Sequence, residues 1–155
     1  MIAIFRKNVL LAVLCVVCQT SFAQRTWDVK SSRNAFQSHL HAGYKYLNPD
    51  RERALLEFQS AIQIALELDD NELIAEGFAG AAQALWYAND FRGAIDSMEL
   101  SVQYFRKTSS VEDASGALRM LSNIYDEHGD YEKAFVTIRE GLELSYRGTD
   151  RQNIL

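Results

Sequence analysis

The sequence predicts an all-α chain of three antiparallel helix pairs stacked one on the next, and three recurring features predict it. The first is a turn. His128-Gly129-Asp130-Tyr131-Glu132-Lys133-Ala134 has counterparts in Asn89-Asp90-Phe91-Arg92-Gly93-Ala94 and Pro49-Asp50-Arg51-Glu52-Arg53-Ala54, which places Asp50, Asp90 and Asp130 40 residues apart. Gly129 suits a left-handed helix exit and Asp130 suits a helix start, where a carboxylate can accept from unpaired backbone N–H groups. The second feature is the face behind each turn. Ala54, Phe58 and Ala61 recur as Ala94, Met98 and Ser101, then as Ala134, Ile138 and Gly141, at the i, i+4, i+7 spacing of one helix face. The order small, large, small lets a partner helix come close while the large residue fills the groove between them. The third is a set of junctions between pairs. Asp69-x-x-Glu72, Ser109-x-x-Glu112 and Thr149-x-x-Gln152 each read as a capping box.

In chain order, residues 1–23 read as a secretory signal peptide. Basic Arg6 and Lys7 precede the apolar run Val9–Cys18, and Ser21-Phe22-Ala23 forms a small-x-small cleavage site, which makes Gln24 the mature N-terminus. Ten apolar residues span only about half of a ~30 Å hydrocarbon core, so an anchor is disfavoured. Acylation at Cys18 is disfavoured because Val17 precedes it. Cys15 and Cys18 are the two cysteines of the chain, and both lie in this segment. The mature protein is therefore expected to be exported, periplasmic or secreted, and held together by packing without a disulfide.

Residues 24–31 form a leader. Ser31 or Ser32 is expected to cap a first helix that runs to about Leu47, where Pro49 forces Asn48 out of helical geometry. The three hairpins are expected over about 32–68, 69–108 and 109–148, and residues 149–155 begin a fourth helix or form a C-terminal stub. Leu55, Ile95 and Phe135, with Ile62, Val102 and Leu142, widen the apolar stripe of each second helix towards a second neighbour. On the first helices Phe78, Ala81, Ala82 and Leu85 match Leu118, Leu121, Ser122 and Tyr125. In the first pair the same offset gives a poor face (Ser38, His41, Ala42, Lys45), and one residue fewer gives His39, Ala42, Gly43 and Tyr46. That pair is thus either shifted or degenerate, as a terminal repeat often is.

Composition narrows the function classes. The chain is 48% apolar and 24% charged with a single Pro, which is globular rather than disordered. Cleavage after Ala23 removes two of 16 basic residues and none of 21 acidic ones, leaving 14 against 21, a balance of −7. An acidic surface does not suit nucleic acid.

These helix pairs, with their Gly-Asp-Tyr turn, resemble the tetratricopeptide repeat (TPR). The pattern is carried best by Leu118, Leu121, Tyr125, Gly129, Tyr131, Ala134 and Ile138, then by Phe78, Ala81, Ala82, Leu85, Phe91, Ala94, Met98 and Ser101. The likeness covers about residues 35–148. It departs in its 40-residue period, against about 34 in the usual repeat, and in lacking the terminal Pro. Longer repeats of this kind occur in kinesin light chains and some bacterial regulators. The resemblance implies a right-handed superhelical solenoid whose first helices line a concave groove that binds peptides or proteins. Its groove positions fall on Tyr44, Gln83, Trp86, Tyr87, Arg119, Asn123 and Asp126. Arg119 and Asn123, four apart, resemble the pair with which some members clamp a terminal carboxylate; the alternative is a solvated face. Trp86 and Tyr87 are read either as groove anchors or as packing between pairs.

No catalytic residue, cofactor or metal site is expected. His39 and His41 diverge by about 200° on a helix and cannot share a metal, and His128 suits a helix C-terminus. The sequence shows no nucleophile–base arrangement and no glycine-rich phosphate loop. The expectation is a non-enzymatic module that binds another protein or peptide, without nucleic acid and without a membrane-spanning segment after cleavage. Two alternatives stand beside it. One is the extracytoplasmic sensor region of a larger membrane signalling protein, such as a histidine kinase or diguanylate cyclase. The other is a structural repeat that self-associates as a homo-oligomer through an open C-terminal end.

Overall fold

A computed structural model describes residues 28–152, with side chains through residue 148. Residues 1–27, on which the expected signal peptide and half of the expected leader fall, and residues 153–155 lie outside the described residues. Six helices and no strand occur among them: α1 (28–46), α2 (Arg51–Glu67), α3 (Asn71–Tyr87), α4 (Phe91–Phe105), α5 (Val111–His128) and α6 (Tyr131–Gln152). No described helix is long and apolar enough to cross a membrane. Residues to Asn34 form one unit, of which the described part is helical, and residues from Ala35 form the packed body considered below. In that body α2 packs on α3, α3 on α4, α4 on α5 and α5 on α6, the arrangement of an all-α solenoid.

The turns explain the helix boundaries. Asp50 and Asp90 cap α2 and α4, accepting from Arg53 N and Gly93 N at 3.0 Å each. At the third turn Gly129 is left-handed (φ 92°), and Ala134 N donates to the Asp130 carbonyl at 2.9 Å. The Asp130 carboxylate lies 3.4 Å from His128 Nδ1 and 3.6 Å from Lys133 Nζ. Helices α2, α3 and α5 all exit through a left-handed residue, namely Asp69 (φ 51°), Asn89 (φ 62°) and Gly129. In each case the next residue donates its N–H five positions back: Asp70 to Ala65 O, Asp90 to Leu85 O and Asp130 to Tyr125 O. This bond consumes a carbonyl that the helix end would leave unpaired.

Four expected boundaries need correction. The caps of α3 and α5 are Asp70 and Ser110, not Asp69 and Ser109. Asp70 accepts from Glu72 N and Leu73 N, and Ser110 from Asp113 N. In both doublets either residue could cap, but Asp69 is used for the left-handed exit of α2, which Asp tolerates better than most side chains. Ser31 and Ser32 lie inside α1 instead of starting it, since nothing in Asp28-Val29-Lys30 breaks a helix. Thr149 also lies inside a helix, because α6 continues to Gln152. Gly148 is not a stop signal. A Cβ there would fall 2.7 Å from Val111 Cγ1, so this glycine marks close approach of α6 to the start of α5.

The small–large–small face packs as its spacing requires. Ala54, Phe58, Ala61, Ala94, Met98 and Ser101 are fully buried, and Ala134 and Gly141 are buried in the third pair. Phe58 is wedged between two glycines. A Cβ at Gly43 of α1 would lie 2.6 Å from its ring, and one at Gly80 of α3 would lie 2.3 Å from it. Gly77 is fitted to Ile62 in the same way, at 2.7 Å. The first pair takes the shifted register: Gly43 is buried and His39, Ala42 and Tyr46 are half-buried, while Ser38, His41 and Lys45 are exposed. On α6 the widened stripe stays open. Phe135 is 66% and Leu142 53% exposed, where their counterparts Leu55, Ile62 and Ile95 are half-buried and Val102 is buried.

The glycines give a paired test. Gly80→Ala is expected to destabilise the fold by about 1–3 kcal/mol, the usual cost of overpacking a filled core. Gly116→Ala, whose Cβ would meet nothing within 4 Å, is expected to stabilise it by about 0.5–1 kcal/mol. Urea unfolding of both variants checks the opposite signs.

Candidate functional site

The first helices of the three pairs share a cleft of about 420 Å³, lined by Gln37, Leu40 and Tyr44 of α1, Glu76, Ala79 and Gln83 of α3, and Gly116, Ala117 and Met120 of α5. Met98 and Phe105 reach it from α4. The contributions of α1 and α3 each follow i, i+3, i+7 spacing, so a single face of each helix is used. Apolar and thioether groups make the floor, and Gly116 leaves it open because no side chain stands there.

The polar groups of the cleft are few. Gln83 Nε2 lies 3.5 Å from Met120 Sδ. The Tyr44 ring packs edge-on against Phe58 with centroids 5.1 Å apart, which ties the cleft wall to the glycine wedge beneath it. Burial pushes the Tyr44 hydroxyl above its ordinary range, reinforced by the nearby Glu76 carboxylate. Burial likewise raises Glu76, and repulsion from Glu72, Asp113 and Asp70 adds to it. No ion pair among the described residues engages Glu76.

The residues assigned from the family groove positions divide. Tyr44 and Gln83 line the cleft. Trp86 is half-buried and donates its Nε1–H to Glu127 Oε2 at 2.8 Å, bridging α3 and α5, with Tyr87 tilted beside it at 5.9 Å. Arg119 lines an adjoining hollow between α5 and α6, which shares Gly116 with the cleft and is completed by Glu112, Ser115, Ile138, Gly141, Leu142 and Ser145. Asn123 and Asp126 are exposed on α5. Gln37, Leu40, Glu76, Ala79, Gly116 and Met120 were not singled out from the sequence. A signal for part of them exists, because Gln37-Leu40-Tyr44 and Glu76-Ala79-Gln83 share one spacing at the 39-residue offset of the shifted first pair.

Elsewhere, Tyr125 donates to Glu99 Oε1 at 2.6 Å, and burial together with that bond raises its hydroxyl pKa. His39 pairs with Glu57 at 2.8 Å. No group of three metal-ligating side chains comes together among the described residues.

No family model matches the chain, and no curated protein does. Among solved structures it is similar to the crystal structure of the TPR domain of Arabidopsis FLU. The two are 24% identical, over 72% of this chain and 95% of that one, with a TM-score of 0.66. The chain thus has the fold of a tetratricopeptide-repeat domain. The solenoid inferred from the repeated turn and the solenoid in the structure are the same object.

Glu76 makes stability pH-dependent in a stated direction. Its pKa is higher folded than unfolded, so the folded state holds the proton more tightly. Its contribution therefore favours folding at acid pH and is lost as pH rises from the ordinary glutamate range through the raised value. Glu76→Gln is expected to raise Tm at pH 7 and to converge with the parent near the acid end of that window. Thermal scans of both proteins across the window test this.

Proposed function

We propose that this chain is a non-enzymatic interaction scaffold that holds a peptide segment of a partner protein in the cleft between α1, α3 and α5. The observation that carries the reading is the cleft itself: three successive repeats contribute side chains to one open, apolar-floored surface. Apolar floors with a few fixed polar groups are the common form of a binding pocket. A TPR-like fold supports the same reading, since helical solenoids present extended concave surfaces to their partners.

Filling the cleft tests the proposal. Peptides selected from a random display library against the parent protein should lose at least about tenfold in affinity for Gly116→Trp, about 1.4 kcal/mol of binding free energy. Unchanged affinity for every selected peptide, with the variant folded by circular dichroism, would place binding elsewhere.

We also propose that the module works after export. The support is the order basic, apolar, small-x-small in residues 1–23. N-terminal sequencing of protein recovered from expressing cells should begin at Gln24; retention of Met1 would remove the proposal.

A further inference from the structure

Within that binding reading, on which this step rests, we infer that the partner segment is basic as well as apolar: an aliphatic side chain seats on the floor formed by Ala79, Met98, Phe105 and Met120, and a Lys or Arg beside it meets Glu76. Among the described residues that line the cleft, Glu76 is the only charged one. Its neighbours in the wall are the amides Gln37 and Gln83 and the Tyr44 hydroxyl, whose oxygens can accept from a cation or a peptide N–H.

The polarity is opposite to the terminal-carboxylate clamp that Arg119 and Asn123 suggested. Arg119 lines the adjoining α5–α6 hollow, and among the described residues no cation lines the cleft itself. An anionic segment would instead bring its charge towards Glu76 in a partly desolvated site, where like-charge contact is costly. Glu72, Asp113 and Asp70 extend the negative field around Glu76. A cation on the ligand would offset the burial and the like-charge repulsion that raise the Glu76 pKa, so binding and ionisation of this group favour each other. An acid that costs stability in the free fold and gains a partner in the complex is an arrangement expected of a recognition group.

The test uses three short fluorescein-labelled peptides with identical leucine spacing and polar positions filled by Lys, Gln or Glu. Against the parent protein the Lys peptide should bind saturably and about tenfold more tightly than the Gln peptide, with the Glu peptide weakest. Glu76→Gln should erase most of that preference while leaving the Gln peptide unchanged. Glu132→Gln, an equal charge change at an exposed site on α6, should leave the preference intact and so removes general attraction to an acidic protein as the cause. Equal binding of the Lys and Gln peptides, a preference untouched by Glu76→Gln, or no saturable binding of the Lys peptide overturns the inference. If Gly116→Trp blocks binding while Glu76→Gln does nothing, the cleft reading survives and the basic partner does not. If neither variant alters binding, both fall.

Discussion

Everything in the first half of the solenoid depends on the contact between the Phe58 ring and the bare backbones of Gly43 and Gly80. A full aromatic ring is the largest group on the small–large–small face, and it can be accommodated only where both neighbouring helices lack a Cβ. The contact sets how closely α1 and α3 approach α2. Ala54 and Ala61, fully buried on either side of the ring, follow from that spacing. So does the position of Tyr44, whose ring rests edge-on against Phe58 and forms one wall of the cleft.

The later pairs solve the same problem with different chemistry. Met98 replaces the ring in the second pair, and a flexible thioether fills space that needs no glycine on both sides. Ser101, at the second small position, donates its hydroxyl to the Ala75 carbonyl at 2.9 Å. Ser122 does the same to Ala134 O across the third pair. A buried hydroxyl is tolerated there because each has an acceptor on the facing helix. In the third pair Gly141 sits close to Leu118, 3.2 Å from where its Cβ would be. The repeat thus preserves the helix spacing rather than the residues that produce it.

This division explains what could be read from the sequence. Helix type, pairing and the Asp-capped turns were legible because local periodicity and backbone chemistry determine them. The caps at Asp70 and Ser110 were missed by one residue, because each lies in a doublet of two residues able to cap; in the first, Asp69 takes the left-handed exit of α2. The length of α6 was misread because Thr149-x-x-Gln152 matches the capping-box series at 40-residue spacing, yet the helix runs through it. The site was legible in part. Tyr44 and Gln83 fall in the cleft, but its centre lies nearer the start of α3 and α5 than Trp86, Asn123 or Asp126. Which end of a helix face opens to solvent depends on how neighbouring helices cross, and those angles come from long-range packing.

The wedge at Phe58 has a consequence for how the array comes apart. In a solenoid whose helices contact chiefly their chain neighbours, opening can begin at an end and travel inward one pair at a time. Here the first hairpin cannot peel away without withdrawing a fully buried ring from α3. Among the described residues the third pair is locked by smaller groups, Gly148 against Val111 and Gly141 against Leu118, and Phe135 and Leu142 are exposed on α6. Amide exchange would therefore be slow through α2 and α3, where withdrawing the ring requires both neighbouring helices to part, and the Tyr44 wall of the cleft would persist with them.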